Sequence, residues 1–138
     1  MISYLLDTNV ISETRKPRPH GGVMSWIASI AAEQILVPAI SIGELQIGIE
    51  KKRTQDPARA ESLERWLASF AASHQILAMD ENCFREWGRI SQKASNTLIV
   101  DAMIAATARV HRLTVATRNT GDFGHFAVSV FNPFTYRA

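Results

Sequence analysis

The sequence predicts an α/β chain: one domain, residues 1–138, in which a mostly parallel five-stranded sheet is covered by helices on both faces. Three observations carry this. Short apolar stretches rich in β-formers alternate with helical segments long enough to serve as crossovers, which parallel neighbours require. The first stretch, Ile2 to Leu6, is apolar without alternation, as in a strand buried on both faces. The length of 138 residues, 46% of them apolar, suits one domain with its own core.

The elements follow in order along the chain. Asp7-Thr8-Asn9 closes the first strand and turns into a helix that Lys16-Pro17-Arg18-Pro19 breaks. Val23 to Ala32 resumes helical spacing, with Trp26, Ile27 and Ile30 on one side. Ile35 to Val37 is a short strand leading through Pro38. Ser41 opens a third helix with Leu45, Gly48 and Ile49 inward, and Lys51-Lys52-Arg53 closes it in keeping with the macrodipole. Asp56-Pro57 starts the next helix, Ala58 to Ala72, with Leu63, Trp66, Leu67 and Phe70 at helical spacing. Ile76 to Ala78 reads as a strand, Glu81 to Lys93 as a helix, and Ser95-Asn96 as a break. Thr97 to Val110 is apolar and helical, and Thr114 to Ala116 is a strand. Asn119-Thr120-Gly121-Asp122 is a turn, and Val128 to Phe131 is the last short strand.

Composition removes whole classes of function. Cys83 is the single cysteine, so no intrachain disulfide forms and a reducing cytoplasm fits. No basic leader precedes the first apolar run, which ends at Asp7, so neither secretion nor membrane insertion is expected. There is no Gly-Lys-Ser/Thr phosphate loop and no Gly-x-Gly-x-x-Gly. His20, His74, His111 and His125 lack zinc-ligand spacing with Cys83. Ser41 lacks the Gly-x-Ser-x-Gly setting of a hydrolase nucleophile. Trp26, Trp66 and Trp87 sit in helical patterns that favour packing or a dimer contact over base stacking.

Four acids stand out. Asp7 follows the first strand, where ligands of parallel sheets gather, but Asp-Thr-Asn also suits a helix cap. Glu44 closes Ser41-Ile42-Gly43-Glu44, which reads equally as a capping box. Asp101 is the only charged residue between Lys93 and Arg109, on an apolar helix where an unpaired carboxylate is costly. Asp122 alone would pass for a turn residue. Together, clustered carboxylates are ligands for Mg²⁺ or Mn²⁺, and such ions cleave phosphodiesters without a side-chain nucleophile. If metal neutralised the four, 15 basic residues would face nine acids, an excess that suits a polyanion. Arg15-Lys16-Pro17-Arg18 and Lys51-Lys52-Arg53 are candidate phosphate contacts, although each also reads as a solvated face.

Leu5-Leu6-Asp7-Thr8-Asn9-Val10-Ile11-Ser12-Glu13, Ser41 to Ile49, Val100-Asp101-Ala102-Met103 and Ala116-Thr117-Arg118-Asn119-Thr120-Gly121-Asp122-Phe123 occur in an order that resembles the PIN-domain ribonucleases. The likeness is to the VapC-like (FitB-type) toxins of bacterial type II toxin–antitoxin pairs, over nearly the whole chain. The resemblance implies a five-stranded parallel sheet, an acidic metal site of Asp7, Glu44, Asp101 and Asp122, and Mg²⁺ or Mn²⁺ as cofactor. It implies that Thr8 and Asn9 shape the site and that Thr117 and Asn119 position water, metal or a carboxylate. Arg118 is a candidate phosphate contact. It further implies an RNA substrate, a homodimer, and an antitoxin whose C-terminal segment reaches a basic side chain toward the acids. The segment before Asp101 is shorter than the pattern. The alternatives are a noncatalytic RNA- or antitoxin-binding module on the same fold and an aspartyl phosphatase, whose Asp-x-Asp is absent because Asn9 fills the second position.

Overall fold

The computed structural model describes residues 1–92 and 96–138. Its five strands are β1 (Tyr4–Leu6), β2 (Ile35–Pro38), β3 (Gln75–Leu77), β4 (Thr114–Ala116) and β5 (Val130–Phe131). They pair in the order β3-β2-β1-β4-β5, and every pairing is parallel. Among the described residues the α-helices are α1 (Thr8–Thr14), α2 (Gly21–Ser29), α3 (Ala39–Arg53), α4 (Pro57–Ser73), α5 (Glu81–Ser91), α6 (Ile99–His111) and α7 (Thr120–Phe123).

Alternation of side chains along the central strands explains their unbroken apolar pattern. Leu5 and Val115 enter one core with Ile104, Ala105, Phe123 and Phe126. Leu6 and Ala116 point the other way, into a core with Val10, Ile11, Trp26 and Val37. Trp26 packs edge-on against Tyr4, ring centroids 4.9 Å apart, so its role is packing. Cys83 is buried. A third cluster of Ile49, Ala60 and Leu67 joins α3 to α4, and Arg53 closes their exposed seam by pairing with Glu50, Glu61 and Glu64.

Several boundaries differ from the sequence expectation for identifiable reasons. The turn expected at Asn119 to Asp122 is the start of α7, followed by a 3₁₀ turn at Gly124–Phe126. Parallel pairing of β4 with β5 demands that crossover. The first strand starts at Tyr4, leaving Ile2 exposed. The second helix stops at Ser29, where Ile30 turns extended, and Ala32–Gln34 forms a separate 3₁₀ turn. Helix α3 begins at Ala39 with Pro38 as its N-cap, which places Ser41 inside the first turn and removes the capping box. Gly48 is exposed, not inward. Lys93, where the fifth helix was expected to end, and Ser95, where the break was expected to begin, lie outside the described residues, and Asn96 opens a 3₁₀ turn, Asn96–Leu98.

Strand β1 is the switch point: β2 lies on one side and β4 on the other, so the chain leaves their C-terminal ends in different directions and opens a crevice between them. Behind it, Ala127 ends a 3₁₀ turn in the left-handed region, φ 49° and ψ 52°. Left-handed backbone costs a non-glycine residue about 1–2 kcal/mol, partly offset for glycine by its greater chain entropy. Ala127→Gly is therefore expected to stabilise the fold by about 0.5–1 kcal/mol, read as a higher urea midpoint at an unchanged m-value.

Candidate active site

Asp7 is the first residue after β1 and the N-cap of α1. Both sequence readings of it hold at once, because one carboxylate oxygen caps the helix and the other turns to the sheet. Oδ1 accepts the Thr8 N–H at 2.8 Å. Oδ2 accepts the Thr117 hydroxyl at 2.8 Å and the Asn9 amide at 3.2 Å. Thr117 is the first residue after β4, is fully buried, and accepts the Asn119 N–H at 2.9 Å. Asn9 also accepts the Arg118 N–H at 3.3 Å, tying the loop after β1 to the loop after β4. Burial pushes the Asp7 carboxyl upward, the Glu44 charge adds to this, and the hydrogen bonds from Thr117, Thr8 and Asn9 oppose it.

Glu44 stands on α3 facing the same crevice. Thr8 Oγ1 lies 2.6 Å from Glu44 Oε1 and 2.8 Å from Ser41 Oγ. With one hydroxyl proton to give, Thr8 donates to the carboxylate and accepts from the buried Ser41. The serine expected to cap a helix instead fixes the hydroxyl that holds Glu44.

Asp101 is the third residue of α6 and is half-buried, with no hydrogen-bond donor to its carboxylate among the described residues. Its pKa is pushed up to about 6, first by burial and then by the charges of Asp7, Asp122 and Glu44. Asp7, Thr8, Asn9, Ser12, Glu44, Asp101 and Asn119 line one cleft of about 420 Å³. Asp122 is exposed on α7 and does not line it; its charge still reaches Asp101. Arg118 lies to the side, its guanidinium 3.8 Å from the centre of the Phe134 ring.

Ser12, Ser41 and Glu13 were not singled out as site residues from sequence. Ser12 carries a readable signal, since it stands four residues after Thr8 and shares its helix face. Glu13 is a buried acid that holds structure together: it accepts from Lys16 Nζ at 3.0 Å and from the His20 N–H at 2.9 Å, linking α1 to α2. Those bonds, Lys16 first, hold its carboxyl below the usual range. A second cleft of about 460 Å³ opens beside the start of β4. Its Arg109 is spent on Glu86 and on the carbonyls of Phe126 and Ala127, a structural tie.

The donors facing the acidic cleft are all oxygens or amides, a set that suits a hard divalent cation retaining several waters. Among the described residues, no three acids stand close enough together to ligate one ion directly. Asp7 and Glu44 are turned onto hydroxyl donors, and Asp101 feels the charges of both. In chemistry the residues suit such an ion, and Asp7, Glu44 and Asp101 are the acids lining the cleft that would hold it.

Two expectations follow from this geometry. Thr117→Val leaves a buried, charged Asp7 without its shortest side-chain donor, and is expected to cost about 1.5–3 kcal/mol at pH 7. Thr117→Ser should restore most of it, and the loss should shrink in acid as Asp7 protonates, both read by denaturant titration. Asp101, with a folded pKa of about 6 against 3.8 for the free carboxyl, binds more protons folded than unfolded. Its contribution is most favourable below the unfolded value and is lost as pH rises through about 6. Asp101→Asn should therefore raise the thermal midpoint at pH 7.5, with the gain vanishing toward pH 4. Mg²⁺ should raise the wild-type midpoint at pH 7.5 more than that of the variant.

Comparison with known proteins agrees with this architecture. The sequence profile described as PIN domain matches residues 4–128. The chain is 38% identical over 139 residues to Toxin FitB of Neisseria gonorrhoeae, spanning 94% of this chain and 97% of that protein. It is 33% identical over 141 residues to VapC ribonuclease Y4jK of Sinorhizobium fredii, spanning 94% and 96%. The crystal structure of FitAcB from Neisseria gonorrhoeae superposes with a TM-score of 0.77 at 38% identity, covering 96% of this chain and 99% of that one. An all-parallel sheet in this strand order, an acidic crevice at its switch point and these alignments over nearly the full length establish that the chain belongs to the PIN-domain family.

Proposed function

We propose that the chain is a metal-dependent endoribonuclease, the toxin of a toxin–antitoxin pair, using Mg²⁺ or Mn²⁺ to hydrolyse RNA. The observation that carries the reading is Asp101: a half-buried carboxylate without a donor among the described residues, facing the charges of Asp7, Glu44 and Asp122. A fold keeps such repulsion when a cation relieves it. When bound, the ion supplies an activated water nucleophile and offsets charge on the phosphoryl oxygens.

The chain's own residues supply orientation. Thr117, Thr8 and Asn9 fix both oxygens of Asp7, so its carboxylate needs no reorganisation when charge develops nearby. The Ser41–Thr8 pair steers Glu44. Asp101 meets the cleft with its lone pairs unspent, and Asn119 offers an amide at the rim. In the reaction a water oxygen bonds to phosphorus and gives up a proton as the bridging P–O bond on the opposite side breaks, and the departing ribose oxygen takes up a proton, leaving a phosphate monoester on one fragment and a hydroxyl on the other. Single-stranded or looped RNA, with its phosphodiesters exposed, is the substrate class this requires. Asp122 adds charge from outside the cleft lining, and Arg118 is assigned to flanking phosphate at the side.

The toxin and ribonuclease parts of the reading draw on the relatives named Toxin FitB and VapC ribonuclease. A cognate antitoxin, a homodimer and a cytoplasmic location belong to the same proposal through the family. Among the described residues no helix is long and apolar enough to cross a membrane.

Purified protein freed of any antitoxin should cut cellular RNA in Mg²⁺ or Mn²⁺ and not in EDTA, with cut ends mapped by sequencing. Asp7→Asn and Asp101→Asn should each lower the rate at least about 10²-fold, the scale of removing one preorganised electrostatic group, while remaining folded. Wild type that binds RNA or an antitoxin yet cuts nothing would instead be the noncatalytic module.

A further inference from the structure

The acidic cleft does not end at the acids. Thr8, Ser12 and Glu44 also line a neighbouring groove of about 200 Å³ between α1, α3 and α4. Two helical stripes run along it from the acids. Along α1 and its C-cap, Thr8, Ser12 and Arg15 succeed one another at helical spacing, and on α3, Glu44, Gly48 and Lys52 do the same. Each stripe passes from the acidic end through a small residue to a cation, over about 10.5 Å of rise on α1 and about 12 Å on α3. Leu45, Leu63 and Trp66 make the apolar wall between them.

Within the same basic clusters Lys16 pairs with Glu13 and Arg53 with Glu50, Glu61 and Glu64, while Arg18 and Lys51 do not line the groove. Arg15 and Lys52 have no ion-pair partner among the described residues, and both border the groove. Four acids repel an incoming polyanion, so a strand that reaches them needs compensating charge close by. These are the two unpaired cations that line the groove.

Resting on the nuclease reading, we propose that this groove is the path of single-stranded RNA leaving the acidic cleft. Arg15 and Lys52 grip phosphates flanking the scissile one, and the Leu45–Trp66 wall lies beneath a base. A peptide carrying a cation to neutralise the acids would meet like charge at Arg15 and Lys52, whereas a nucleic-acid backbone is complementary to both.

The test is binding of a fluorescent single-stranded RNA to antitoxin-free protein in EDTA, measured across salt concentrations. For single strands the log affinity falls with log salt at about −0.7 per neutralised phosphate, so the Arg15→Ala/Lys52→Ala variant should show a slope shallower by about 1.4. Arg15→Lys/Lys52→Arg should keep the wild-type slope, which loss of structure would not explain. Gly48→Leu places a good helix former where an added Cβ meets nothing within 4 Å. It should keep or raise the thermal midpoint while weakening RNA binding several-fold, with little change in slope. An unchanged slope in the alanine variant overturns the proposal. So does undiminished RNA affinity in both groove variants together with lost antitoxin binding, which gives the groove to a peptide. Because binding is read without metal, the nuclease reading fails separately: wild type that binds through the groove but never cuts keeps the path and loses the catalysis.

Discussion

The hydrogen bond from the Thr117 hydroxyl to the Asp7 carboxylate joins residues 110 positions apart and depends on the whole sheet being built as it is. It forms only because β1 and β4 are adjacent and parallel, with Leu6 registered on Ala116, so that the next residue of each strand emerges at the same edge. The Asp7 N–H donates to the Ala116 carbonyl and the Thr117 N–H to the Phe131 carbonyl, continuing the ladder to the point where the side chains meet. A slip of one residue in that register would turn Asp7 into a core face and leave a buried charge unpaired. Strand pairing, helix capping and site assembly are thus a single constraint.

Around that anchor the acids are handled differently. Asp7 is buried but supplied with three donors, Glu44 with the Thr8 hydroxyl, and Asp101 with none among the described residues. The repulsion therefore falls most on Asp101, the half-buried carboxylate lining the cleft without a donor among the described residues. Glu13 shows the contrast within one helix. It is as buried as Asp7, yet Lys16 and the His20 N–H satisfy it, and it serves to hold α2 against α1. Burial of an acid is common to both; the charge left unpaired separates a site from a strut.

The cations divide in the same way. Arg53 locks α3 to α4, Lys16 answers Glu13, and Arg109 ties α6 to the turn before β5. Exposed pairs of this kind contribute little stability singly, but they take those charges out of circulation for a ligand. Of the cations left without an ion-pair partner among the described residues, Arg15 and Lys52 border the groove that continues from the acids.

Much was readable along the chain. The alternation of apolar strands and helices, the two-sided burial of β1 and the position of Asp7 after the first strand are local patterns, dictated by side-chain period and connection length. Four motifs in order were enough to identify the family. The tertiary structure decided what depends on neighbours distant in sequence. A proline at position 38 moved the start of α3 and turned Ser41 from a cap into the partner of Thr8, because a hydroxyl bonds to whatever the fold brings within reach. Parallel pairing of β5 required a helix where the sequence showed a turn. Which of the clustered cations are paired, and which acid is left without a donor, was decided by packing between α1, α3, α4 and α6. Propensity and periodicity act over a few residues and are written in the sequence directly, whereas electrostatic pairing depends on three-dimensional distance, which only the folded sheet sets.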